Sequence, residues 1–278
     1  MRKFILAFFL LCALPNLLFS QWKRVTNIPK PYENGYYLDV YFLESNPQYG
    51  WTCGYNGVVL RTTDGGNSWD YSIIPFAYQL ESIFFVNERV GYTSGLIGTQ
   101  TPGGAIYKSI DGGKTWFNIS PPGNVDIWGN IFLDENTGFA IGGGCGNEQQ
   151  FYKTTNGGNS WTAFYVNYYD SGLSDIMFDQ NGVGYASSSG VIWRTTDLGN
   201  TWQVFSIAGP RDWQEEITLS GQTFLLPYSS GCTGSDGGGG WRYSTDMGKT
   251  WRNKEIGIPM FGSFLLSPSK GWVVGWQE

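Results

Sequence analysis

A nine-residue segment recurs along this chain and constrains its fold more than any other feature. "RTTDGGNSW" occupies residues 61–69, and closely similar segments end at Trp116, Trp161, Trp202 and Trp251. The Asp or Asn of the motif falls at positions 64, 111, 156, 197 and 246, which leaves intervals of 47, 45, 41 and 49 residues. A period near 45 residues is that of a four-stranded propeller blade, so the sequence predicts a repeat protein.

Each copy of the motif lies among short apolar segments that predict β-strands. Ahead of it stand two apolar runs joined by a polar bend, as in residues 82–95, and then a third run, as in residues 57–62. A fourth run follows the Trp of the motif, as in residues 68–75. Short β-branched and aromatic runs bounded by Gly, Asn or Asp are typical of strands. The sequence therefore predicts an all-β propeller of four-stranded antiparallel blades, with the motif as the turn between strands three and four.

The residues of the motif suit a tight turn. Asp64 can accept hydrogen bonds from backbone N–H groups two residues on, Gly65 or Gly66 can supply a positive φ, and the Ser68 hydroxyl can close the network. The Trp that follows then buries on the order of 200 Å² against the blade. A structural role is therefore predicted for Asp64, Trp69, Asp111, Trp116, Asn156, Trp161, Asp197, Trp202, Asp246 and Trp251.

The five motifs resemble the Asp-box, or bacterial neuraminidase repeat, whose pattern is Ser/Thr-x-Asp-x-Gly-x-Thr-Trp. The whole blade pattern is most similar to the photosystem II stability and assembly factor type of propeller, a family label also carried by secreted bacterial proteins without a photosynthetic role. The resemblance extends over essentially all of the mature chain. It implies that the Asp-box is a structural turn on the face away from any ligand site, and that the protein has an assembly or adhesion role.

The two termini predict how the ring closes, since a propeller must cover the free edges of its first and last strands. Trp22 aligns with the Trp that ends each Asp-box, so the mature chain is expected to begin with an outer fourth strand. Residues 263–276 predict the first and second strands of a last blade. Six blades are expected, the sixth built from both termini and lacking one strand; seven blade positions or an incomplete ring in a fragment remain alternatives.

Residues 1–20 predict a secretory signal peptide, with a positively charged start, an apolar stretch and a small residue at the cleavage point. Pro15 interrupts the apolar stretch before it reaches the roughly 20 residues that span a bilayer, which disfavours a membrane anchor. Cys12 lacks the preceding small residue of a lipoprotein site. The mature protein, residues 21–278, is therefore expected to be one propeller domain that is secreted, extracellular, periplasmic or on the cell surface.

The composition excludes several classes of function. The signal peptide removes two of 17 basic and none of 23 acidic residues, which leaves the mature chain a net charge of −8. An acidic chain without a basic run is a poor partner for nucleic acid or an anionic membrane. Histidine is absent, which removes the commonest general base and the usual zinc ligand. No cofactor and no metal are expected, and the protein is expected to be a monomer.

Three cysteines remain in the mature chain. Cys145 and Cys232 lie in glycine-rich loops and are the better candidates for a disulfide, although pairing cannot be deduced from sequence alone. Cys53 is expected to be a small buried hydrophobic side chain.

A ring of polar side chains is predicted at the central channel, because these residues recur at the start of the first strand of each blade: Asp39, Ser82, Asn130, Asp175, Glu216 and Ser263. The favoured interpretation is that they bond to the backbone of neighbouring blades or to channel water. The alternative is that Asp39, Asp175 or Glu216 serve as catalytic carboxylates of a glycan-processing enzyme, which needs two of them about 5 to 10 Å apart.

Aromatic residues predict a ligand-binding surface on the loops opposite the Asp-boxes, because exposed Tyr and Trp side chains stack on sugars or anchor protein partners. The candidates are Tyr37, Trp128, Tyr168, Tyr169, Trp213 and Trp241. Sialidases are also Asp-box propellers, but the Arg-Ile-Pro signature of that family is absent. We therefore expect a secreted, non-catalytic platform for a protein or glycan partner, with a sialidase-like or other glycoside hydrolase as the alternative.

Overall fold

The computed structural model describes residues 25–30, 32–98, 103–123, 126–143, 149–166, 172–210, 212–214, 216–231 and 238–275. The signal peptide with Cys12, the Trp22 strand, the Cys145–Cys232 pair and the two tyrosines Tyr168 and Tyr169 all lie outside these residues.

Five antiparallel sheets follow one another along the chain, and the strands of each pair in chain order. After a short 3-10 helix at Tyr32–Asn34, the first sheet contains β1 (Tyr37–Phe42), β2 (Gly50–Gly54), β3 (Val58–Thr62) and β4 (Asp70–Ile73). The second contains β5 (Ala77–Phe85), β6 (Gly91–Ile97), β7 (Gly104–Ser109) and β8 (Phe117–Asn118). The third contains β9 (Ile127–Phe132), β10 (Gly138–Gly142), β11 (Gln149–Thr154) and β12 (Thr162–Val166).

The fourth sheet contains β13 (Leu173–Phe178), β14 (Gly184–Ser188), β15 (Val191–Thr195) and β16 (Gln203–Ile207). The fifth contains β17 (Trp213–Gln214), β18 (Thr218–Ser220), β19 (Thr223–Ser229), β20 (Gly239–Ser244) and β21 (Arg252–Glu255). Its innermost strand is split, since β17 and β18 both pair with β19. Each sheet thus has four strand positions, which confirms the predicted propeller of four-stranded antiparallel blades.

The first strands of the blades surround the centre of the ring, with β1 against β5, β5 against β9 and β9 against β13. Because the strands of a blade alternate in direction, the Asp-box turns and the β1-to-β2 type of bend share one face of the ring. The starts of the first strands, the turns between strands two and three, and the segments leaving strand four share the opposite face. We call the latter the loop face.

Three residues pack together in the same way in several blades: the aromatic residue that ends strand one, the glycine that begins strand two and the Trp of the Asp-box. The second strand begins with a glycine because the aromatic ring at the end of strand one lies across it. A Cβ atom at Gly50 would come within 2.4 Å of the Phe42 ring, and one at Gly138 within 2.2 Å of the Phe132 ring. The Asp-box Trp meets that ring edge-on, as in the Phe42–Trp69 pair with centroids 6.2 Å apart.

The core lies between the blades. Trp51 and Cys53 of the first blade pack with Leu80, Ile83 and Phe85 of the second in one buried cluster. The Trp51 and Phe85 rings are stacked, with centroids 3.6 Å apart and planes 4° from parallel. A blade therefore depends on its neighbour for burial, as expected for a repeat fold.

The structure corrects the predicted number of blades: it has five four-stranded blades, not six. The last sheet contains only β22 (Met260–Ser267) and β23 (Lys270–Gly275). The described residues before the 3-10 helix form no strand, so within the described chain the amino-terminal segment adds none to this sheet. Apolar side chains consequently remain exposed at both ends of the blade series, among them Val40 at 61% and Phe264 at 58%.

Candidate functional site

The Asp-box turns are closed networks of hydrogen bonds. In the first blade, Oδ1 of Asp64 accepts the backbone N–H of Ser68 at 2.9 Å, and Oδ2 accepts the Ser68 hydroxyl at 2.5 Å. The Thr62 hydroxyl donates to Asp64 at 2.8 Å and accepts the N–H of Gly66 at 2.9 Å. The backbone donor thus lies four residues after the Asp and not two, and the hydroxyl that ends strand three was missed by sequence reasoning. Gly65 and Gly66 have φ angles of 71° and 88°.

These networks leave the Asp-box carboxylates occupied. The Ser68 hydroxyl, with the Ser68 N–H and the Thr62 hydroxyl, lowers the pKa of Asp64 to about 2. In the third blade, Asn156 makes equivalent bonds without a charge: its Oδ1 accepts the Ser160 N–H at 2.9 Å and its Nδ2 donates to the Ser160 hydroxyl at 2.8 Å. An uncharged copy of the motif fits a role in turn formation better than a role in proton transfer.

The Asp-boxes of the second and fifth blades also tie their blade to the one before it. The Ser72 hydroxyl on β4 donates to the carbonyl of Gly113 at 2.7 Å and accepts the indole N–H of Trp116 at 3.1 Å. Ser206 on β16 of the fourth blade makes the same two contacts with Gly248 and Trp251 of the fifth, at 2.6 and 2.9 Å. The motif therefore serves the contact between blades as well as its own turn.

The predicted polar ring lies on the innermost strands, and its carboxylates bind the next blade. Asp39 accepts the N–H of Ile83 at 2.7 Å. Asp175 accepts the N–H of Ile217 at 2.9 Å, and Glu216 accepts the N–H of Ser263. Each carboxylate thus supplies an acceptor to a backbone donor of the following blade.

The uncharged members of the ring also link neighbouring blades. The amide of Asn130 donates to the hydroxyls of Ser82 and Ser94, at 3.3 and 2.8 Å. The hydroxyl of Ser263 lies 3.1 Å from that of Thr218.

Burial makes these carboxylates weak acids. It raises the pKa of Asp39 to about 6, against hydrogen bonds from Ile83 and Val40 that lower it. Burial also raises the pKa of Asp175 and of Glu216, and the negative charges of Asp175 and Asp39 raise that of Glu216 further. The charge of Asp39 likewise raises the pKa of Asp175. Glu81, which sequence reasoning missed, joins them, since burial raises its pKa to about 7.

Two of the predicted ligand-binding tryptophans meet on the loop face. Trp128 is the second residue of β9 in the third blade, and Trp213 begins β17 in the fifth. Their rings nevertheless touch edge-on, with centroids 5.5 Å apart. The Trp128 indole is fixed by a hydrogen bond to the carbonyl of Gly143 at 2.6 Å. Both side chains are half-buried, so each keeps an accessible surface.

The other predicted aromatic residues are more dispersed. Tyr37 is half-buried, and its hydroxyl donates to the carbonyl of Tyr32 at 2.7 Å, within the segment that leads into β1. Trp241 is half-buried in β20 and pairs across the sheet with Pro227. The structure therefore brings Trp128 and Trp213 together but places Tyr37 and Trp241 elsewhere.

A second aromatic group on the loop face was not predicted as a unit. Tyr36, Tyr55 and Tyr78 form a ladder, with ring centroids 5.9 Å apart for the first pair and 5.7 Å for the second. Phe76 lies in the same corner with 91% of its side chain exposed. A possible sequence signal was the frequency of aromatic residues flanking Asn56-Gly57 and Pro75, both of which mark turns.

Neither a metal-binding cluster nor a membrane-spanning helix occurs among the described residues. None of their His, Cys, Asp and Glu side chains form a group of three or more placed to hold a metal. No helix among them has the length and apolar character needed to cross a bilayer. Cys53 is a free, fully buried cysteine whose Sγ lies 3.4 Å from the carbonyl of Leu80.

Comparison with known proteins agrees with this architecture. The family model described as photosynthesis system II assembly factor YCF48 matches residues 14–215. The photosystem II assembly lipoprotein Ycf48 of Trichormus variabilis is 24% identical over an alignment 332 positions long, which covers 98% of this chain and 90% of that protein. The chloroplastic photosystem II stability/assembly factor HCF136 of Oryza sativa is 30% identical over 151 residues, or 52% of this chain and 33% of that protein.

Solved structures show the same fold at low sequence identity. The structure of YCF48 bound to D1 peptide superposes with a TM-score of 0.54 at 17% identity, covering 86% of this chain and 88% of that one. An ancestral GH74 enzyme gives a TM-score of 0.64 at 18% identity, but only 32% of that longer chain is covered. At such identities these two likenesses carry the fold and not the activity.

Proposed function

Because the chain belongs to the photosystem II assembly factor YCF48 family, we propose that it is a non-catalytic platform that holds a polypeptide segment of another protein during assembly. We call that other protein the client. The family match over residues 14–215 carries this proposal, and the peptide-bound state of one YCF48 structure supports a peptide as the kind of ligand.

The side chains on the two faces of the propeller differ, and this difference supports the loop face as the binding surface. On the opposite face the Asp-box groups of each blade are engaged in hydrogen bonds with one another. On the loop face, the Trp128–Trp213 pair and the tyrosine ladder present aromatic surface that the fold leaves accessible. Aromatic side chains of this kind are the usual anchors of protein interfaces.

The glycoside hydrolase alternative has less support. It needs two carboxylates free to act on a substrate, whereas Asp39, Asp175 and Glu216 each accept a backbone N–H from the next blade. A carboxylate committed to the packing of two blades would have to give up that bond to transfer a proton to a sugar. The raised pKa values follow from burial and from mutual repulsion, which structural carboxylates share with catalytic ones.

The proposal also covers where the protein is located and how many copies of it act together. We propose that the leader-like segment exports the protein and that the mature chain works as a single copy with its loop face toward the client. Light scattering of residues 21–278 in solution tests the copy number. If the protein is a dimer instead, the exposed apolar side chains of β1 and β22 are where the second copy would dock.

A display experiment tests the platform. Residues 21–278 are immobilised and screened with a random dodecapeptide library, beside a glycan array and a turnover assay on any sugar that binds. We expect peptides to be selected and their binding to be lost when Trp128 and Trp213 are replaced by Ala. Lys249→Ala, an exposed position on the Asp-box face, is the matched control and should bind normally. Glycan turnover, or peptide binding that depends on Lys249 and not on the tryptophans, would contradict the proposal.

A further inference from the structure

The tyrosine ladder on the loop face joins two blades into one preformed surface. Tyr36 precedes β1, Tyr55 follows β2, and Tyr78 lies in β5 of the second blade. Successive rings meet edge-on, at interplanar angles of 66° and 82°. The ends of the ladder are exposed, with Tyr36 at 74%, while the central ring of Tyr55 is half-buried.

Backbone hydrogen bonds fix this corner. The N–H of Asn56 donates to the carbonyl of Tyr78 at 2.7 Å, and Tyr55 forms an isolated bridge with Gln79. The N–H of Gly98 donates to the carbonyl of Phe76 at 3.2 Å. The rings of the ladder are thus held by main-chain contacts between the two blades, so a ligand would find them already positioned.

Phe76 occupies an unfavourable position in two respects. Its φ angle is 67°, in the left-handed region that bulky residues rarely adopt because it strains the backbone. Its ring, 91% exposed, gains almost nothing from burial in the free protein. A strained backbone that exposes an apolar ring two residues before Tyr78 of the ladder is an arrangement that a partner would stabilise.

The Glu81 carboxylate close to the ladder indicates which chemical group would bind there. Glu81 lies in β5, three residues after Tyr78, and its carboxylate accepts from the amide of Gln79. Burial raises the pKa of Tyr55, and the neighbouring charges of Glu81, Tyr78 and Tyr36 raise it further. A cation bound there is attracted both by the negative carboxylate and by the electron-rich faces of the aromatic rings.

We propose that the tyrosine ladder, with Phe76 and Glu81, is the docking site for an arginine-bearing extended segment of the client. The guanidinium stacks on the tyrosine faces and turns its N–H groups toward Glu81, while an apolar side chain of the same segment covers Phe76. Arginine suits this site better than lysine, because a planar, weakly hydrated guanidinium stacks on rings and donates in a fork. The net charge of −8 on the mature chain favours the approach of a basic segment. This inference rests on the proposed function as a peptide-binding platform.

Fluorescence anisotropy with two synthetic peptides tests the inference. The probe is a fluorescein-labelled Gly-Leu-Pro-Arg-Leu-Gly amide, and its control carries citrulline, the uncharged isostere, in place of the arginine. The measurement is made at pH 8, where Glu81 is ionised. We expect the citrulline peptide to bind about tenfold more weakly, in line with a desolvated cation–π contact plus an ion pair.

Three variants connect that difference to the ladder. Tyr36→Ala and Phe76→Ala should weaken binding of the arginine probe. Glu81→Gln should reduce the difference in affinity between the two peptides, because it removes the ion pair and leaves the cation–π contact. Phe117→Ala is the control, because Phe117 is an exposed aromatic residue on β8 of the second blade. This variant should bind as the unmodified protein does.

The outcomes separate this inference from the proposed function. If library peptides bind the loop face but the ladder variants and the citrulline exchange change nothing, the ladder inference is wrong and the platform stands. If neither the probes nor any library peptide binds, both are wrong. If the arginine probe binds and the effect of citrulline is smaller in Glu81→Gln than in the unmodified protein, both are supported.

Discussion

Raising the pH from 5 to 8 should destabilise the folded protein, because Asp39 ionises there in a buried site. Burial raises its pKa from the ordinary value of 3.8 to about 6. A carboxyl group with a higher pKa in the folded than in the unfolded state contributes stability that is complete below about pH 4 and is lost as the pH rises through 6. At 1.36 kcal/mol for each pH unit between the two values, the whole loss for Asp39 is roughly 3 kcal/mol, of which about 1.4 kcal/mol falls between pH 5 and 8.

The other carboxyl groups at the centre act in the same direction. Burial raises the pKa of Glu81 to about 7, and also raises those of Asp175 and Glu216. The Asp-box carboxylates act in the opposite direction but in another range, since the lowered pKa of Asp64, about 2, costs stability only as the pH falls below 4. Because the chain contains no histidine, the central carboxyl groups dominate the titration between pH 5 and 8.

The assay is urea unfolding of residues 21–278 at pH 5, 6, 7 and 8, followed by tryptophan fluorescence. Asp39→Asn removes the charge but keeps an oxygen that can accept the N–H of Ile83, so its free energy of unfolding should depend less on pH. Asp134→Asn is the matched control, because N–H groups of Thr137 and Asn136 lower the pKa of Asp134 and it titrates below this range. A free energy of unfolding that is flat or rises from pH 5 to 8 would refute the reasoning, as would identical pH slopes for the two variants.

Three further predictions test the packing. Trp51→Ala should cost about 3–5 kcal/mol in chemical denaturation, because it removes a fully buried ring stacked on Phe85; a loss below about 1 kcal/mol would contradict the stacked geometry. Asp64→Asn should unfold close to the unmodified protein and Asp64→Ala well before it in a thermal melt, since Asn156 already makes the equivalent bonds; equal losses would show that the charge is essential. Peptide mapping after alkylation should find Cys53 unmodified in the native protein and modified in urea, because its thiol is buried and its pKa is raised; native labelling would place it at the surface.

The repeating part of the molecule could be predicted from the sequence because its contacts are local. The turn at Asp64 closes within seven residues, from Thr62 to Ser68, and its geometry depends only on residue types at fixed spacing. The strands on either side pair as hairpins of short range. The number of blades could not be predicted in the same way, since it depends on how the two termini meet, and the structure has two strands where a sixth blade was expected.

The loop face could not be predicted because its contacts are long-range. Trp128 and Trp213 were selected as separate candidates, and they meet although 85 residues separate them. Tyr36, Tyr55 and Tyr78 become a ladder only through the register between the first two blades. The repeat period of the sequence predicts which residues occupy the same position in each blade. It does not predict which loops of different blades are in contact.

The contrast between the two faces identifies where function can reside. Side chains that recur in the motif, such as Asp64 and Ser68, have their polar atoms committed to the turn, and Ser72 and Ser206 hold neighbouring blades together at equivalent positions. The loop-face aromatics do not recur: Tyr55, Asn56 and Gly57 join β2 to β3, whereas Ser189 and Gly190 alone join β14 to β15. A platform needs a repeating part that packs every blade in the same way and a non-repeating part that distinguishes one partner from another. In this protein the two parts lie on opposite faces, so substitutions at Tyr55 or Trp213 can change binding while the ring that supports them remains intact.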